Sequence, residues 1–262
     1  MKKLGLALGS GGARGVAHIG LLQALLDNGI KPQCISGCSM GSVVGSCYAV
    51  GMSPKQMMDE VMALKMMDLM DPGINALYKG TLFKSKKLTA TLGRYLGHIN
   101  FDALSIPFSC IAADIVTGEK IVYDKGEVLP AVQASSSIPL VFSPIQDNGR
   151  LICDGGIVCR VPVEEVRALG ADVVLAMDVL APLSRDVKID NMLKYLLRVI
   201  DVYDNANTEK YKKEHPADLY IWPDLGNISM YKIDRPNFEI CYRKGYECAM
   251  NAMPQIKKMI ED

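Results

Sequence analysis

Short apolar runs alternate with segments of helical periodicity along the whole chain. The runs are continuously apolar, which is typical of strands buried on both faces of a parallel sheet. The pattern predicts strands near residues 4–8, 33–38, 107–116, 119–124, 151–154, 172–178 and 218–222. It predicts helices near residues 14–28, 41–51, 54–67, 84–96, 162–169, 188–213 and 237–261. This alternation indicates an α/β fold with a mostly parallel central sheet covered by helices.

Length and composition limit the class of protein. The chain has 262 residues, of which 49% are hydrophobic, and this is enough to bury a full core in one large domain. No low-complexity linker or repeat divides it, so we expect a single domain over residues 1–262. Equal numbers of acidic and basic residues give zero formal net charge, which argues against nucleic acid as a partner. Any membrane contact is then expected to be local and apolar.

The amino terminus and the cysteines bear on the cellular compartment. Met1-Lys2-Lys3 precedes only the short apolar run 4–8, so the sequence predicts neither a signal peptide nor a spanning helix. The eight cysteines lack metal-ligand spacing, and a disulfide among Cys34, Cys38 and Cys47 would distort the turn that they surround. We therefore expect reduced thiols and a cytoplasmic location.

The pentapeptide Gly37-Cys38-Ser39-Met40-Gly41 lies between an apolar run and a helical stretch. A G-x-S-x-G sequence at a strand-to-helix junction is typical of the nucleophile elbow of acyl hydrolases. Gly37 and Gly41 leave room for the sharp turn and for an approaching substrate. The helix that follows would direct free N–H groups and the positive end of its dipole toward Ser39. The pentapeptide therefore predicts Ser39 as the nucleophile of an acyl transfer.

A second glycine loop, residues 9–15, follows the first predicted strand and precedes a helix. A dinucleotide fingerprint would need Gly where Arg14 stands, and a P-loop would need Lys followed by Ser or Thr, which the loop lacks. An oxyanion hole needs only free backbone N–H groups at the start of a helix. The loop therefore favours an oxyanion hole. Its candidate residues are Gly11, Gly12, Ala13, Arg14 and Gly15.

A nucleophilic serine needs a base, for which the chain offers His or Asp. The three histidines are His18, His98 and His215, and for each of them a packing or surface role is favoured. Asp154 in Cys153-Asp154-Gly155-Gly156 is the other candidate, because a carboxylate placed beside the hydroxyl can accept its proton directly. Taken alone, an Asp-Gly pair is also typical of an ordinary turn.

In this order, the Gly-Gly-x-Arg-Gly loop, the elbow at Ser39 and the Asp-Gly-Gly segment at Asp154 resemble the patatin-like phospholipase family. Residues 113–118 and 134–139 also resemble stretches between the elbow and the Asp-Gly-Gly segment in bacterial members. The loop differs at Gly9-Ser10, where plant members more often have Asp-Gly.

The resemblance implies a three-layer α/β/α fold and hydrolysis of lipid acyl esters through a seryl acyl-enzyme. It implies a Ser39–Asp154 dyad in place of a triad, with Gly155 and Gly156 forming the dyad loop. No calcium-loop signature or metal cluster occurs in the sequence, so we expect no cofactor and no metal. A lipid or other acyl ester is the expected substrate, and peripheral contact with the inner face of the membrane follows from the same resemblance.

Arg14 and a methionine stripe each have two interpretations. Arg14 either supports the glycine loop by donating hydrogen bonds to carbonyls, which we favour, or contacts a phosphate head group. Met58, Met62 and Met66 recur at four-residue spacing, which suits an adaptable acyl groove but also a core or subunit-packing helix.

A different class of function also stays open, namely a catalytically weak or inactive module that keeps the fold and acts by binding a partner. The predicted helix at 188–213 mixes apolar and charged residues, so it suits a partner surface, a homo-oligomer contact or an ordinary covering helix. The sequence does not distinguish phospholipid, lysophospholipid, neutral lipid, thioester and simple carboxylester substrates.

Overall fold

The structure is a computed structural model that describes residues 2–64, 71–72, 83–84, 86–180, 183, 187–226 and 228–261. Within these residues, helices α1 to α8 span Ala17–Asp27, Met40–Ala49, Pro54–Ala63, Lys86–Leu96, Val128–Ser135, Val163–Ala168, Met192–Glu214 and Arg235–Glu261. Strands β1 to β10 span Leu4–Leu8, Cys34–Cys38, Asp71–Pro72, Phe83–Lys84, Phe108–Asp114, Lys120–Tyr123, Ile145–Asp147, Arg150–Asp154, Val173–Met177 and Leu219–Ile221. Short 3-10 helices cover Gly12–Val16, Phe101–Ala103 and Gly155–Ile157.

The central sheet has the strand order β10-β9-β1-β2-β5-β8-β7, and β6 also pairs with β5. The strands from β10 to β5 are parallel, whereas β6, β7 and β8 are antiparallel to their neighbours. Buried residues occupy every position of β1, β2, β5 and β9, as expected for strands covered on both faces. The prediction of a mostly parallel α/β sheet is confirmed.

Alternate residues of β1 pack into two separate cores. Leu4, Leu6 and Leu8 of β1 join the main core, which includes residues of α1 and α8. Ala7, on the other face of β1, packs in a second core with Val163 and other residues of α6. Since side chains of a strand alternate between its faces, helices cover both sides of the sheet. The fold is therefore the expected three-layer α/β/α arrangement.

The pairing register of β5 brings the carboxyl ends of two strands together. Cys38, the last residue of β2, pairs with Ile111, and Asp154, the last residue of β8, pairs with the adjacent Ala112. Strand β6 pairs with both Ile111 and Ala112. A strand has only two edges, so β2 and β8 must lie end to end along the other edge of β5. The carboxyl ends of β2 and β8 therefore meet.

Four elements were not predicted from the sequence: helix α5, strand β7 and the two-residue strands β3 and β4, which pair with each other. Helix α5 has buried residues on most of its surface, and such a helix lacks the amphipathic stripe on which prediction depends. Strand β7 has only three residues, which is too short for a clear alternation. In addition, the predicted helix start at residue 14 falls within a 3-10 helix, and the α-helix itself begins at Ala17.

Candidate active site

Ser39 lies at the sharp turn between β2 and α2, with φ 53° and ψ −121°. This positive φ is unusual for a residue with a side chain and marks a strained backbone. A Cβ atom on Gly37 would lie 2.4 Å from the carbonyl oxygen of Gly41, and one on Gly41 would lie 2.0 Å from that of Leu8. Only glycine fits at either position, so the two glycines permit the turn that presents Ser39.

Hydrogen bonds to neighbouring serines hold this turn. The backbone N–H of Ser39 donates to the hydroxyl oxygen of Ser135 at 3.0 Å. The Ser42 hydroxyl donates to the carbonyl oxygen of Ser39 at 2.6 Å. Ser135 ends α5, and it was not among the candidate site residues predicted from the sequence. The run Ser135-Ser136-Ser137 was the signal from which it could have been found.

Asp154 is fixed at one carboxylate oxygen and open at the other. Its backbone N–H donates to the Ser137 carbonyl at 2.9 Å. Oδ1 accepts the N–H of Gly156 at 2.8 Å and contacts Cys38 Sγ at 3.9 Å. Oδ2 is buried and has no hydrogen-bond partner among the described residues. One oxygen therefore orients the carboxylate and the other is left to accept a proton.

The pKa of Asp154 is raised from its ordinary value to about 7, chiefly because burial disfavours the charged carboxylate. The nearby Ser39 hydroxyl and the hydrogen bonds from Gly156 and Cys38 lower this pKa, whereas the negative charge of Asp204 raises it. The Ser39 hydroxyl is thus near enough to stabilise the carboxylate, although it does not complete a well-aligned hydrogen bond to Oδ2. A base with this pKa exchanges its proton readily near neutral pH.

The glycine loop lies against both the elbow and the Asp-Gly-Gly segment. A Cβ on Gly15 would lie 2.2 Å from Cγ of Met40, and one on Gly156 would lie 3.2 Å from the Ser10 hydroxyl oxygen. Helix α2 begins at Met40, so its N-terminus adjoins Ser39. The loop, the elbow and the Asp-Gly-Gly segment, which are separate in the sequence, therefore adjoin one another.

The five predicted oxyanion residues differ in the state of their backbone amides. Ala13 N–H donates to the Met230 carbonyl at 2.8 Å, and Arg14 N–H donates to the Gly11 carbonyl at 3.1 Å. These two amides are therefore already satisfied. No described residue accepts a hydrogen bond from the N–H of Gly11 or Gly12. The N–H of Gly15 lies beyond the first turn of the 3-10 helix Gly12–Val16, so the free N–H donors of the loop are those of Gly11 and Gly12.

Arg14 supports the loop from outside. Its Nε donates to the Ile228 carbonyl at 2.6 Å, and a terminal guanidinium nitrogen donates to the Gly226 carbonyl at 3.3 Å. Burial lowers the pKa of Arg14 below its ordinary value. These contacts tie the glycine loop to the segment before α8, which is the supporting role favoured from the sequence.

The three histidines have other surroundings. His18 is buried and its Nε2 lies 2.8 Å from the Gly9 carbonyl, and burial lowers its pKa to about 4. His98 is exposed beside Glu127, and the ring of His215 contacts that of Tyr211. Among the described residues, no histidine is bonded to Ser39. This leaves Asp154 as the candidate base.

A buried cluster of charged side chains lies beside the glycine loop. Arg160 pairs with Asp178 at 2.9 Å and with Asp204 of α7 at 3.0 Å, and Lys212 pairs with Asp178 at 3.2 Å. Burial raises the pKa of Asp204 to about 6. The Arg160 carbonyl also accepts the N–H of Ser10 at 3.0 Å. The cluster therefore links β9, α7 and the glycine loop, and the sequence pattern did not reveal it.

The methionine stripe and the cysteines occupy apolar surroundings. Met58 and Met62 are partly buried and pack against the main core. Met66 lies outside the described residues, so the acyl groove stays a prediction. The cysteines are free thiols, as expected. Within the described ranges, no group of three or more His, Cys, Asp or Glu is arranged to hold a metal ion, and no helix there is both long and apolar enough to cross a bilayer.

Known proteins have sequences similar to this chain. An NTE family protein of Mycobacterium tuberculosis (strain ATCC 25618 / H37Rv) is 34% identical over 177 residues, which cover 67% of this chain and 48% of that protein. Lysophospholipase NTE1 of Yarrowia lipolytica is 24% identical over 282 residues, covering 97% of this chain and 20% of that protein. This chain thus aligns with about half the length of the mycobacterial relative.

A solved structure and a family model complete the comparison. The crystal structure of VipD from Legionella pneumophila matches with a TM-score of 0.58 at 15% identity, covering 97% of this chain and 67% of that chain, which supports the fold. The model of the family described as Patatin-like phospholipase matches residues 6–167, a range that includes the glycine loop, the elbow and the Asp-Gly-Gly segment. The chain therefore belongs to the patatin-like phospholipase family.

Proposed function

We propose that the protein is a serine-dependent lipid acyl hydrolase of the phospholipase, lysophospholipase or carboxylesterase type, with Ser39 as nucleophile and Asp154 as general base. One observation carries the proposal: Ser39 stands on a strained turn beside a buried carboxylate whose Oδ2 has no other partner among the described residues. An ordinary Asp-Gly turn has no need for such a pairing.

The first half of the reaction follows from this geometry. Asp154 Oδ2 accepts the proton of the Ser39 hydroxyl as the serine oxygen attacks the ester carbonyl carbon. The carbonyl oxygen becomes an oxyanion, and the free N–H groups of Gly11 and Gly12 donate to it. When the intermediate collapses, the protonated Asp154 gives its proton to the departing alkoxide. The acyl group stays on Ser39 as an ester.

The second half reuses the same groups. A water molecule gives a proton to Asp154 as its oxygen attacks the acyl carbon, and the same amides stabilise the second oxyanion. Collapse returns the proton to Ser39 and releases the fatty acid. Gly156 and Cys38 keep Oδ1 occupied throughout, so the carboxylate does not rotate away from Ser39.

A lipid substrate is part of this proposal and is supported by family membership. Lysophospholipase NTE1, to which the chain is similar over 97% of its length, bears the name of such an activity. We place the reaction in the cytoplasm at the membrane surface, where acyl lipids are presented.

Hydrolysis across a series of acyl esters tests the proposal, with soluble short-chain esters, lysophosphatidylcholine and phosphatidylcholine as substrates. We expect turnover by the unmodified protein and a loss of about a thousandfold or more in kcat for Ser39→Ala and for Asp154→Asn. Asp102→Asn, an exposed carboxylate, is the matched control and should retain full activity. Turnover that persists in Ser39→Ala or Asp154→Asn would show that the dyad assignment is wrong. A folded protein without turnover would favour a binding module.

A further inference from the structure

Helix α7 exposes an unusual number of large apolar side chains. Six of them recur at three- and four-residue spacing and form a single stripe along its first three turns, whereas the seventh, Leu193, is not part of it. Each of the six is between 40% and 71% exposed. We call this set the α7 stripe; its members are Met192, Tyr195, Leu196, Val199, Val202 and Tyr203.

The opposite face of α7 adjoins the candidate active site. Asp204 and Thr208 are the buried residues of the helix, and Asp204 binds Arg160 of the charged cluster. The charge of Asp204 raises the pKa of Asp154, and Asp201 acts on Arg14 of the glycine loop. The helix thus has one face toward the catalytic groups and the α7 stripe toward solvent.

We infer that the α7 stripe is the surface through which the protein docks on a lipid surface. The inference rests on the proposed function, because it supplies the place at which a lipid acyl hydrolase meets its substrate. A half-exposed apolar stripe with two tyrosines matches the boundary between head groups and acyl chains, which an amphipathic helix enters to a depth of about 5–10 Å. Exposed Lys188, just before the helix, makes no ion pair among the described residues and can meet lipid phosphate.

Insertion into lipid makes fewer demands on the stripe than contact with a second copy of the chain. Six half-exposed large side chains offer about 500 Å² of apolar surface, within the range of the largest patches on soluble monomers. A stable protein interface covers about 800 Å² of each partner, of which a little more than half is apolar, so area alone does not separate the two occupants; such an interface also needs close shape complementarity. Insertion into a lipid surface requires no complementary shape, and its strength grows with the apolar area inserted.

Cosedimentation with vesicles tests the inference separately from catalysis. The protein carries Ser39→Ala so that nothing is hydrolysed, and the vesicles are phosphatidylcholine mixed with phosphatidylglycerol. The test variant is Leu196→Glu and the matched control is Leu26→Glu, since these leucines are 40% and 42% exposed. Leu26 lies near the end of α1, and the chain then enters the amino end of β2, whereas Ser39 follows the carboxyl end of β2. Leu26 and Ser39 are therefore at opposite ends of the strands.

We expect the vesicle affinity to fall about tenfold in Leu196→Glu and to stay unchanged in Leu26→Glu. With Ser39 intact, both variants should hydrolyse a monomeric short-chain ester at the unmodified rate, whereas Leu196→Glu should be slower on vesicles. If Leu196→Glu lowers the melting temperature, Val202→Glu repeats the test at a second position of the stripe.

Three results would overturn the inference. The first is that the protein with an unmodified α7 stripe does not bind vesicles. The second is that the Leu196→Glu and Val202→Glu variants bind vesicles as well as the Leu26→Glu variant does. The third is a dimer in sedimentation velocity that dissociates in Leu196→Glu, which would identify a second copy as the occupant. Failure to hydrolyse the soluble ester would instead contradict the proposed function and leave the cosedimentation result intact.

Discussion

The hydroxyl oxygen of Ser135 accepts the backbone N–H of Ser39 at 3.0 Å, and this bond joins the end of α5 to the turn that presents the candidate nucleophile. The turn is strained, since Ser39 has a positive φ of 53°. Strained backbone persists only when the surrounding structure holds it. Ser135 supplies part of that hold, because both residues are buried and a buried N–H must be paired.

Ser135→Ala should therefore lower both stability and turnover. It leaves the buried N–H of Ser39 without an acceptor, which costs about 1–3 kcal/mol, and we expect kcat to fall about tenfold as the turn relaxes. Ser136→Ala is the matched control, because the Ser136 hydroxyl only donates to Val132 O, which also accepts the Ser136 N–H. Thermal denaturation and ester hydrolysis of both variants check this. Equal behaviour of the two variants would show that Ser135 does not hold the turn.

The pH dependence of turnover should report Asp154. The carboxylate accepts a proton only when ionised, and burial raises its pKa to about 7, so kcat/KM should rise with pH through a midpoint near pH 7 and then level off. Asp204→Asn removes a charge that raises this pKa, so the midpoint should move to lower pH. Asp190→Asn, an exposed carboxylate just before the same helix, should leave the midpoint in place. If the midpoint of the pH profile is the same in Asp204→Asn as in the unmodified protein, the electrostatic coupling between Asp204 and Asp154 is contradicted.

The free energy of unfolding should fall as the pH rises, whereas kcat/KM rises. The folded protein holds the Asp154 proton more tightly than the unfolded chain, whose carboxyl has a pKa of about 4. Between about pH 4 and pH 7 the folded state therefore binds more protons, and its stability falls as the pH rises. Asp154→Asn should make this decline shallower and leave the part that comes from Asp204, whose pKa is also raised. Urea denaturation across the window measures the difference. A decline of the same slope in Asp154→Asn would assign it to other groups.

Gly12 should be irreplaceable for two reasons. Its φ is +53°, and a Cβ there would lie 2.4 Å from the Met230 carbonyl oxygen, so Gly12→Ala must displace the loop that carries the free amides. We expect kcat to fall about a hundredfold or more, as when an oxyanion donor is lost. Gly29→Ala is the control, since Gly29 also has a positive φ, +71°, but no atom within 4 Å of the added Cβ. It should cost only about 1 kcal/mol of stability and no activity.

Arg160 should be the most costly arginine to remove. Arg160→Met leaves the buried carboxylates of Asp178 and Asp204 without their shared cation, and breaking such a cluster costs about 3–5 kcal/mol. Arg167→Met breaks a single bridge to Asp218, in which the arginine side chain is 40% exposed, and should cost about 1 kcal/mol or less. Denaturant unfolding of the two variants gives the difference. Similar losses would show that the cluster contributes little to stability.

The sequence predicted most accurately those elements whose structure depends on a local pattern of residues. Strand β1 has the expected limits because its buried run ends at the glycine loop, and the G-x-S-x-G segment does form a turn between a strand and a helix. Helix α5 was missed because a helix buried on most sides has no polar face to mark its period.

The surroundings of the candidate dyad were beyond the reach of sequence patterns. Ser135, Arg160 and Asp204 act through contacts between segments far apart in the chain, and single serine or aspartate residues carry no periodic signal. The meeting of Ser39 and Asp154 depends on the register by which Ile111 and Ala112 of β5 pair with β2 and β8. Strand register of this kind is set by tertiary packing and not by the local sequence.

The most direct test of the account is labelling of the purified protein with a fluorophosphonate, read by intact mass and peptide mapping. The account predicts a single adduct on Ser39, which is absent in Ser39→Ala and strongly slowed in Asp154→Asn, since the probe reacts only with an activated serine. Ser136→Ala should label at the unmodified rate. An adduct on another residue, or none in folded protein, would contradict the assignment of Ser39 as the nucleophile.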